Sequence, residues 1–397
     1  MRIKTVARSL AGYKTFLLVF LGVLTAFGPL ATDMYLPALP SMSGWFNTSA
    51  SMVQLSLTAS MFGLAVGQLM FGPMSDKLGR KSVLTWTLVL FIISTLLCIF
   101  SFTIEQFVVF RLLQGIAAAG GIVISRSIST DLFEGRDLAK MLAIVGAING
   151  VAPVMAPVIG GTMVSSYGWQ GIFCVLLFIG ILLLCACFCF HESLPRENRA
   201  KSSLLHVMFS FKPLFTNRSY MGYTLQFGFA QAALFANIAS APFIMQEHYG
   251  FTPFHFSLCF GINAFAIVIS AALAAKFKKV ENGTLSGGIG LFVFSICEMI
   301  ALFSDCPFWV YELFLLCILF SLGFCFTSST TLAMDSGRQH TGSASALLGT
   351  IGFAFGGIVS PLVGIGNTLY ATGIVFVVSA ILSLLCIAYA RKVARKQ

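Results

Sequence analysis

GPMSDKLGRK, from Gly72 to Lys81, sets one acid and three bases in a short stretch between two long apolar runs. The runs lie at about 52–74 and 82–101, each near the roughly 20 residues that cross a bilayer. The segment is too short to fold alone, so it reads as a tight turn joining two membrane-spanning helices. The same alternation of apolar run and polar turn recurs along the chain. Twelve spans are expected, at about 14–37, 52–74, 82–101, 106–126, 139–163, 169–190, 219–245, 254–276, 284–303, 308–332, 343–365 and 368–390.

Composition agrees with that reading. Hydrophobic residues make up 57% of the 397, charged residues 10%, and mean hydropathy is +0.91. Soluble folds carry roughly 25% charged residues, so this chain has too little polar surface to coat a globule in water. Allotting about 22 residues to each crossing leaves about 130 for termini and connections. The longest connection, His191 to about Arg218, is too short for a folded soluble domain. No glycine is followed by lysine, so a phosphate-binding loop ending in Gly-Lys is missing and nucleotide hydrolysis by this chain is not expected. No cofactor is called for.

Charge placement predicts the topology. Of the 24 Lys and Arg, 23 fall in the termini and in alternate connections, and the connections between hold none. Positively charged loops stay cytoplasmic, which puts both termini inside and makes the span count even. The remaining cation, Arg111, lies within the fourth span. The net charge of +10 is therefore a topology signal, reinforced by anionic membrane lipid, and needs no nucleic acid partner. The four Trp fall near span ends, as interfacial aromatics do. Ten of the 11 Cys lie in predicted spans and Cys306 in an outward loop, which is not a disulfide framework. Cys185, Cys187 and Cys189 alternate, so a helix turns them to different faces and no metal site is expected. The first run follows a basic start yet has no clear cleavage pattern, and reads as an uncleaved helix.

The polar connection divides the chain into two six-helix bundles, 1–190 and 219–397, with a cytoplasmic loop at 191–218. A loose internal repeat supports the division. Gly150, Pro153, Pro157, Gly160 and Gly161 of the fifth span recur as Gly356, Gly357, Pro361 and Gly364 of the eleventh. Related halves put a binding site at their interface near mid-membrane, exposed alternately to each side.

Gly72, Asp76, Gly79 and Arg80 complete a pattern, Gly-x-x-x-Asp-Arg/Lys-x-Gly-Arg-Arg/Lys, by which the chain resembles the major facilitator superfamily. TDMYLPALP (Thr32–Pro40) and RLLQGIAAAGG (from Arg111) narrow the resemblance to the Bcr/CflA group of drug:proton antiporters. It covers the N-terminal half and continues more weakly through TGSASALLGT, Thr341–Thr350. The resemblance implies an all-α protein of 12 transmembrane helices in a bacterial inner membrane. It also implies a monomer that exports small amphipathic molecules and is driven by the proton gradient. It further implies that the Gly72–Lys81 turn latches the cytoplasmic side. Asp76 would then face the N-terminus of the eleventh span, where a helix dipole favours an anion, and Arg80 would pair with Asp131.

Asp33 and Arg111 stand out without the family. The uncharged run Thr15–Thr32 is short for a span, so the helix should extend through Asp33 towards Pro37. Asp33 would lie about 6–10 Å below the outer surface at 1.5 Å per residue, and Arg111 at matched depth on an antiparallel helix. Opposite charges in a bilayer should pair or line a wet cavity. Burial disfavours a charged carboxyl and a guanidinium favours it, so a group under both influences can exchange a proton. Arg111, which keeps its charge, would tune Asp33 or hold substrate. Tyr35, Gln114, Asn237, Asn263 and Glu298 are the candidate cavity residues.

Two features stay open at this level. Pro157-x-x-Gly160-Gly161 matches the antiporter motif of the superfamily's exporters in part, with Ala152 and Ala156 in place of glycines; close helix packing and proline bending explain it equally well. Glu298, in mid-span, reads as a second proton site or as a structural acid, whereas Glu312, Glu105 and Asp305 are expected at the outer interface. Export of a native metabolite, such as a siderophore or amino acid, is the competing function. A membrane-embedded enzyme would need clustered His, Asp or Glu, and the five His (His191, His206, His248, His255, His340) are scattered, so no catalysis is expected.

Overall fold

A computed structural model describes residues 2–133, 135–199, 212–274, 276–338 and 341–394. It is nearly all helical. The long helices are α1 (Arg2–Asp33), α2 (Ala50–Leu78), α3 (Arg80–Ile99) and α4 (Ile104–Leu132). A single helix, Gly135–Cys189, follows, with a break in its φ/ψ at Gly168 that divides it into α5 (135–167) and α6 (169–189). Then come α7 (Arg218–Phe243), α8 (Pro253–Ala274), α9 (Val280–Phe303), α10 (Phe308–Ser336), α11 (Thr341–Val359) and α12 (Thr368–Ala394). Eleven helical stretches are long and apolar enough to cross a membrane among the described residues. The twelfth expected crossing is present as the second limb of the bent helix, folded back at Gly168 with φ of 64°.

Local chemistry sets several helix starts. Ser49, Thr103 and Asn217 each accept a hydrogen bond from a backbone N–H of the first turn, of Met52, Gln106 and Tyr220, which satisfies a donor that the helix itself leaves unpaired. Gly79 joins α2 to α3 with φ of 101° and ψ of 149°, a conformation essentially reserved for glycine. There Glu192 accepts hydrogen bonds from the first N–H groups of α3, Arg80 N at 2.9 Å and Lys81 N at 3.3 Å. An anion at a helix N-terminus is favourable. A Cβ on Gly79 would sit 2.5 Å from both Glu192 Oε2 and Arg199 Nη2. Gly79→Ala should therefore cost about 1–3 kcal/mol of stability, read as a lower melting temperature in detergent. An unchanged melting temperature would mean that the turn relaxes freely.

Glycines also set the tightest helix contacts. A Cβ on Gly63 of α2 would overlap the Leu112 carbonyl oxygen, and one on Gly115 of α4 would overlap that of Ser60, so α2 and α4 meet backbone to backbone. Small residues permit this approach inside a bilayer. The faces turned away from these contacts carry exposed apolar side chains, such as Phe178 and Leu182 of α6 and Ile262 and Phe265 of α8, as a lipid-facing surface requires. Trp45, Trp86 and Trp309 are exposed, as expected of interfacial aromatics. Trp169 is not. It is buried against Phe46, Phe107 and Phe173.

Helices α1–α6 meet α7–α12 chiefly through two pairs, α2 with α11 and α5 with α8. At the end of the bundle opposite the Gly72–Lys81 turn, the two sets are joined by hydrogen bonds. Ser51 donates to the Pro361 carbonyl at 3.1 Å, Gln54 to Ala239 at 3.0 Å and Gln246 to Pro37 at 3.0 Å.

Candidate functional site

Arg111 is fully buried on α4. Its Nη1 donates to the Ala31 carbonyl at 3.0 Å and to Oε1 of Gln114. The guanidinium carbon lies 4.2 Å from the ring centre of Tyr35 and 5.6 Å from that of Phe173, within cation–π range. Gln114 is held in turn by donating to Thr95 Oγ1 at 2.7 Å, and Tyr35 OH lies 3.3 Å from Ser56 Oγ. Ala31 belongs to the last turn of α1, whose carbonyls lack helical partners. Arg111 therefore caps the negative end of α1.

Asp33 is the final residue of that helix and is 8% exposed. Of the two arrangements expected for it and Arg111, a direct ion pair or a shared cavity, the ion pair is not formed. Asp33 lies within the electrostatic reach of the guanidinium, but the contacts of Arg111 go to a carbonyl, an amide and two aromatic faces. A full ion pair would leave the α1 carbonyls unmet; capping the helix end satisfies them and still places positive charge near Asp33. Arg111 Nε and Nη2 have no protein acceptor.

The path of the chain after Asp33 is now defined. After α1 the chain continues through a 3-10 turn, Leu36–Ala38, and a short helix, Leu39–Trp45. The apolar stretch thus runs from Gly12 to Trp45, and Asp33 lies well before its end, at the point where α1 gives way to the turn. It is the only acid that the described part of the first six helices holds well inside a span; Glu105 opens α4, and Asp76 and Asp131 close α2 and α4.

In the Gly72–Lys81 turn, Arg80 is buried and bonds three groups. Its Nε donates to Asp131 Oδ2 at 2.9 Å, and its Nη1 donates to Ser75 Oγ at 2.7 Å and to Asp76 Oδ1 at 2.5 Å. Lys81 Nζ donates to the carbonyls of Phe188 and Phe190, at the end of α6. Glu192, which the sequence reading passed over, completes this junction. The approach of Asp76 to the start of α11 involves residues 339–340 and the side chains of 341–342, which lie outside the described residues.

On α5, a Cβ on Gly160 would overlap the Met34 carbonyl oxygen, and one on Gly161 would meet Ser257 Oγ and the Pro253 carbonyl of α8. Neighbouring glycines thus seat α5 against the chain break after α1 on one side and against α8 on the other. The backbone stays helical through Pro153 and Pro157, so the expected proline bend is not the cause of any break. The surroundings of Gly150 lie outside the described residues.

The five candidate cavity residues do not form one group. Tyr35 and Gln114 wrap Arg111. Asn237 is buried on α7, with its Oδ1 lacking a partner. Asn263 of α8 and Glu298 of α9 lie with Glu312 of α10. Glu312 is 9% exposed, buried by protein near the start of α10. Asp305 is exposed and pairs with His248 Nε2 at 3.0 Å.

Comparison with known proteins places this arrangement. The family model described as Major Facilitator Superfamily matches residues 21–361. The uncharacterized MFS-type transporter YdgK of Bacillus subtilis is 39% identical, over 88% of each chain. A bicyclomycin resistance protein homolog of Haemophilus influenzae is 26% identical, over 94% of this chain and 96% of its own. In fold, a bacterial homolog of the human lysosomal transporter Spinster, solved in an inward-facing and unoccupied conformation, aligns with a TM-score of 0.78. That alignment covers 96% of this chain and 97% of the other at 16% identity.

Proposed function

The chain belongs to the Major Facilitator Superfamily as a multi-pass transporter of the bacterial inner membrane, and we propose that it exports small amphipathic drugs or antibiotics in exchange for protons. The observation that carries the reading is Asp33. Among the described residues of the first six helices it is the one acid held well inside a span, at the end of a helix capped by Arg111, beside the contact between the two sets of helices. The negative end of α1 opposes a carboxylate and the nearby guanidinium favours one. A group balanced between such fields changes charge when its surroundings change, and alternating access supplies that change. The bicyclomycin resistance homolog points to amphipathic antibiotics as the substrate class.

In this reading the units 1–190 and 219–397 rock about the α2–α11 and α5–α8 contacts, with both termini and the 191–218 loop cytoplasmic. A monomer suffices, with no bound cofactor; the proton gradient is the energy source. The Arg80–Asp131 pair ties α3 to α4, so the Gly72–Lys81 turn moves as part of the first unit.

The test uses proteoliposomes with an imposed proton gradient and chloramphenicol, bicyclomycin and a cationic dye as probes. Uphill transport that a protonophore abolishes is the expected result. Transport that survives the protonophore would overturn proton coupling. Failure with every drug, alongside gradient-driven transport of an amino acid or siderophore, would establish metabolite export instead.

A further inference from the structure

The second six helices hold two acids that the Asp33 site does not use. Glu298, on α9, is 0% exposed, and neither of its carboxyl oxygens has a hydrogen-bond partner. Glu312, on α10, is close enough to act on it electrostatically, and its Oε2 is likewise buried and unpartnered. Asn263, on α8, is 2% exposed and its side chain reaches Glu312. Glu298 and Glu312 thus bring unsatisfied carboxyl oxygens together from two helices joined by a short connection. Buried polar groups are ordinarily hydrogen-bonded, and two such acids are costly unless a ligand completes them.

The charges around the pair define that ligand. Tyr311 on α10, Tyr249 after α7 and Cys259 on α8 are the neutral titratable neighbours, with Cys306 and Asp305 in the connection after α9. No Lys or Arg lies within α7, α8 or α9 between their first and last residues, nor anywhere in α10. The cations of this half cluster in connections and at the C-terminus, near Lys276–Lys279, Arg338 and Arg391. Two ionised carboxylates would stand together in apolar surroundings without a counter-charge, which is strongly unfavourable. The ligand must therefore be positive.

We propose that Glu298 and Glu312 form a second proton-binding site in the C-terminal half, occupied in the conformation described here. A carboxyl that holds a proton becomes a donor as well as an acceptor. A proton on either carboxyl removes one of the two neighbouring charges, and a second removes the other. The site lies on helices other than those that carry Asp33, so it makes the proton stoichiometry greater than one if both sites empty in a cycle. That last step rests on the exchange reading above; occupancy of the pair does not.

The test is accordingly independent of transport. Infrared difference spectra of the full-length protein in lipid, taken during pH titration, report the C=O stretch of protonated buried carboxyls. Wild type should show bands from the pair at neutral pH. Glu298→Gln should remove one band and shift the other, Glu312→Gln should do the converse, and the double variant should lose both. Asp33→Asn should leave them in place. Bands that survive both the double variant and Asp33→Asn would overturn the proposal, and so would wild-type spectra with no protonated carboxyl from the pair at neutral pH, since the site would then be ionised. Two single variants on different helices keep the test decisive if one of them fails to fold.

Discussion

Asp33→Asn should abolish proton-driven accumulation of drug in proteoliposomes while leaving drug-for-drug counterflow intact. The amide has nearly the shape of the carboxyl but cannot take up and release a proton. Asp33 ends α1 without a direct ion pair, and Arg111 is anchored independently by the Ala31 carbonyl, Gln114 and the Tyr35 ring. Removal of the charge therefore leaves the helix cap and the packing of α1 on α4 undisturbed. Uphill transport should fall to the level of empty liposomes. Counterflow, which needs binding and rocking but no net proton movement, should persist. Loss of both activities in folded protein would make Asp33 a substrate ligand or a structural residue. Retention of both would remove it from coupling.

Gly115→Val should be strongly destabilising. A Cβ at this position would overlap the Ser60 carbonyl oxygen and lie 2.8 Å from the Ser60 carbonyl carbon. Backbone faces backbone here, so no side chain can rotate away. Overpacking in a tight core costs about 1–3 kcal/mol and occasionally more. A β-branched residue set against main chain belongs at the upper end. Separation of α2 from α4 would also shift Arg111, one turn away, from the end of α1. The expected result is a large drop in melting temperature together with loss of transport. Gly44→Ala, where a Cβ meets nothing within 4 Å, serves as the control and should change neither. A Gly115→Val protein as stable as wild type would show that the α2–α4 contact is looser than described.

How much of this was legible beforehand depended on the kind of signal. Long apolar runs announce themselves by length alone, and the Gly72–Lys81 turn by its order of glycine, acid and base. The continuation of the first apolar stretch past Pro37 and Pro40 is less legible. Proline is tolerated in the first turn of a helix, and both here lie at the start of new helical turns, so the apolar path continues to Trp45. The fifth and sixth spans look separate in sequence, yet only Gly168 leaves helical geometry.

For Arg111, charge identity was readable and partnership was not. Arg111 stands out as a cation in an apolar run, but its acceptor is a carbonyl, and carbonyls carry no sequence signal. Glu312 lies four residues beyond Phe308, the first residue of α10, which by counting alone places it near the surface. Its burial comes from distant chain, since Tyr249 and Phe251 stack with Phe308 over that end of the bundle. Glu192 could have been suspected as an acid close in space to a basic turn, but only the fold brings it to the start of α3.

Drug-driven proton release from purified protein in detergent, for wild type and Asp33→Asn, tests the exchange of drug for proton at Asp33 most directly. A pH indicator reports the release as chloramphenicol, bicyclomycin or a cationic dye is added near neutral pH. The account predicts release from wild type and its loss in Asp33→Asn. Undiminished release from the variant would contradict it.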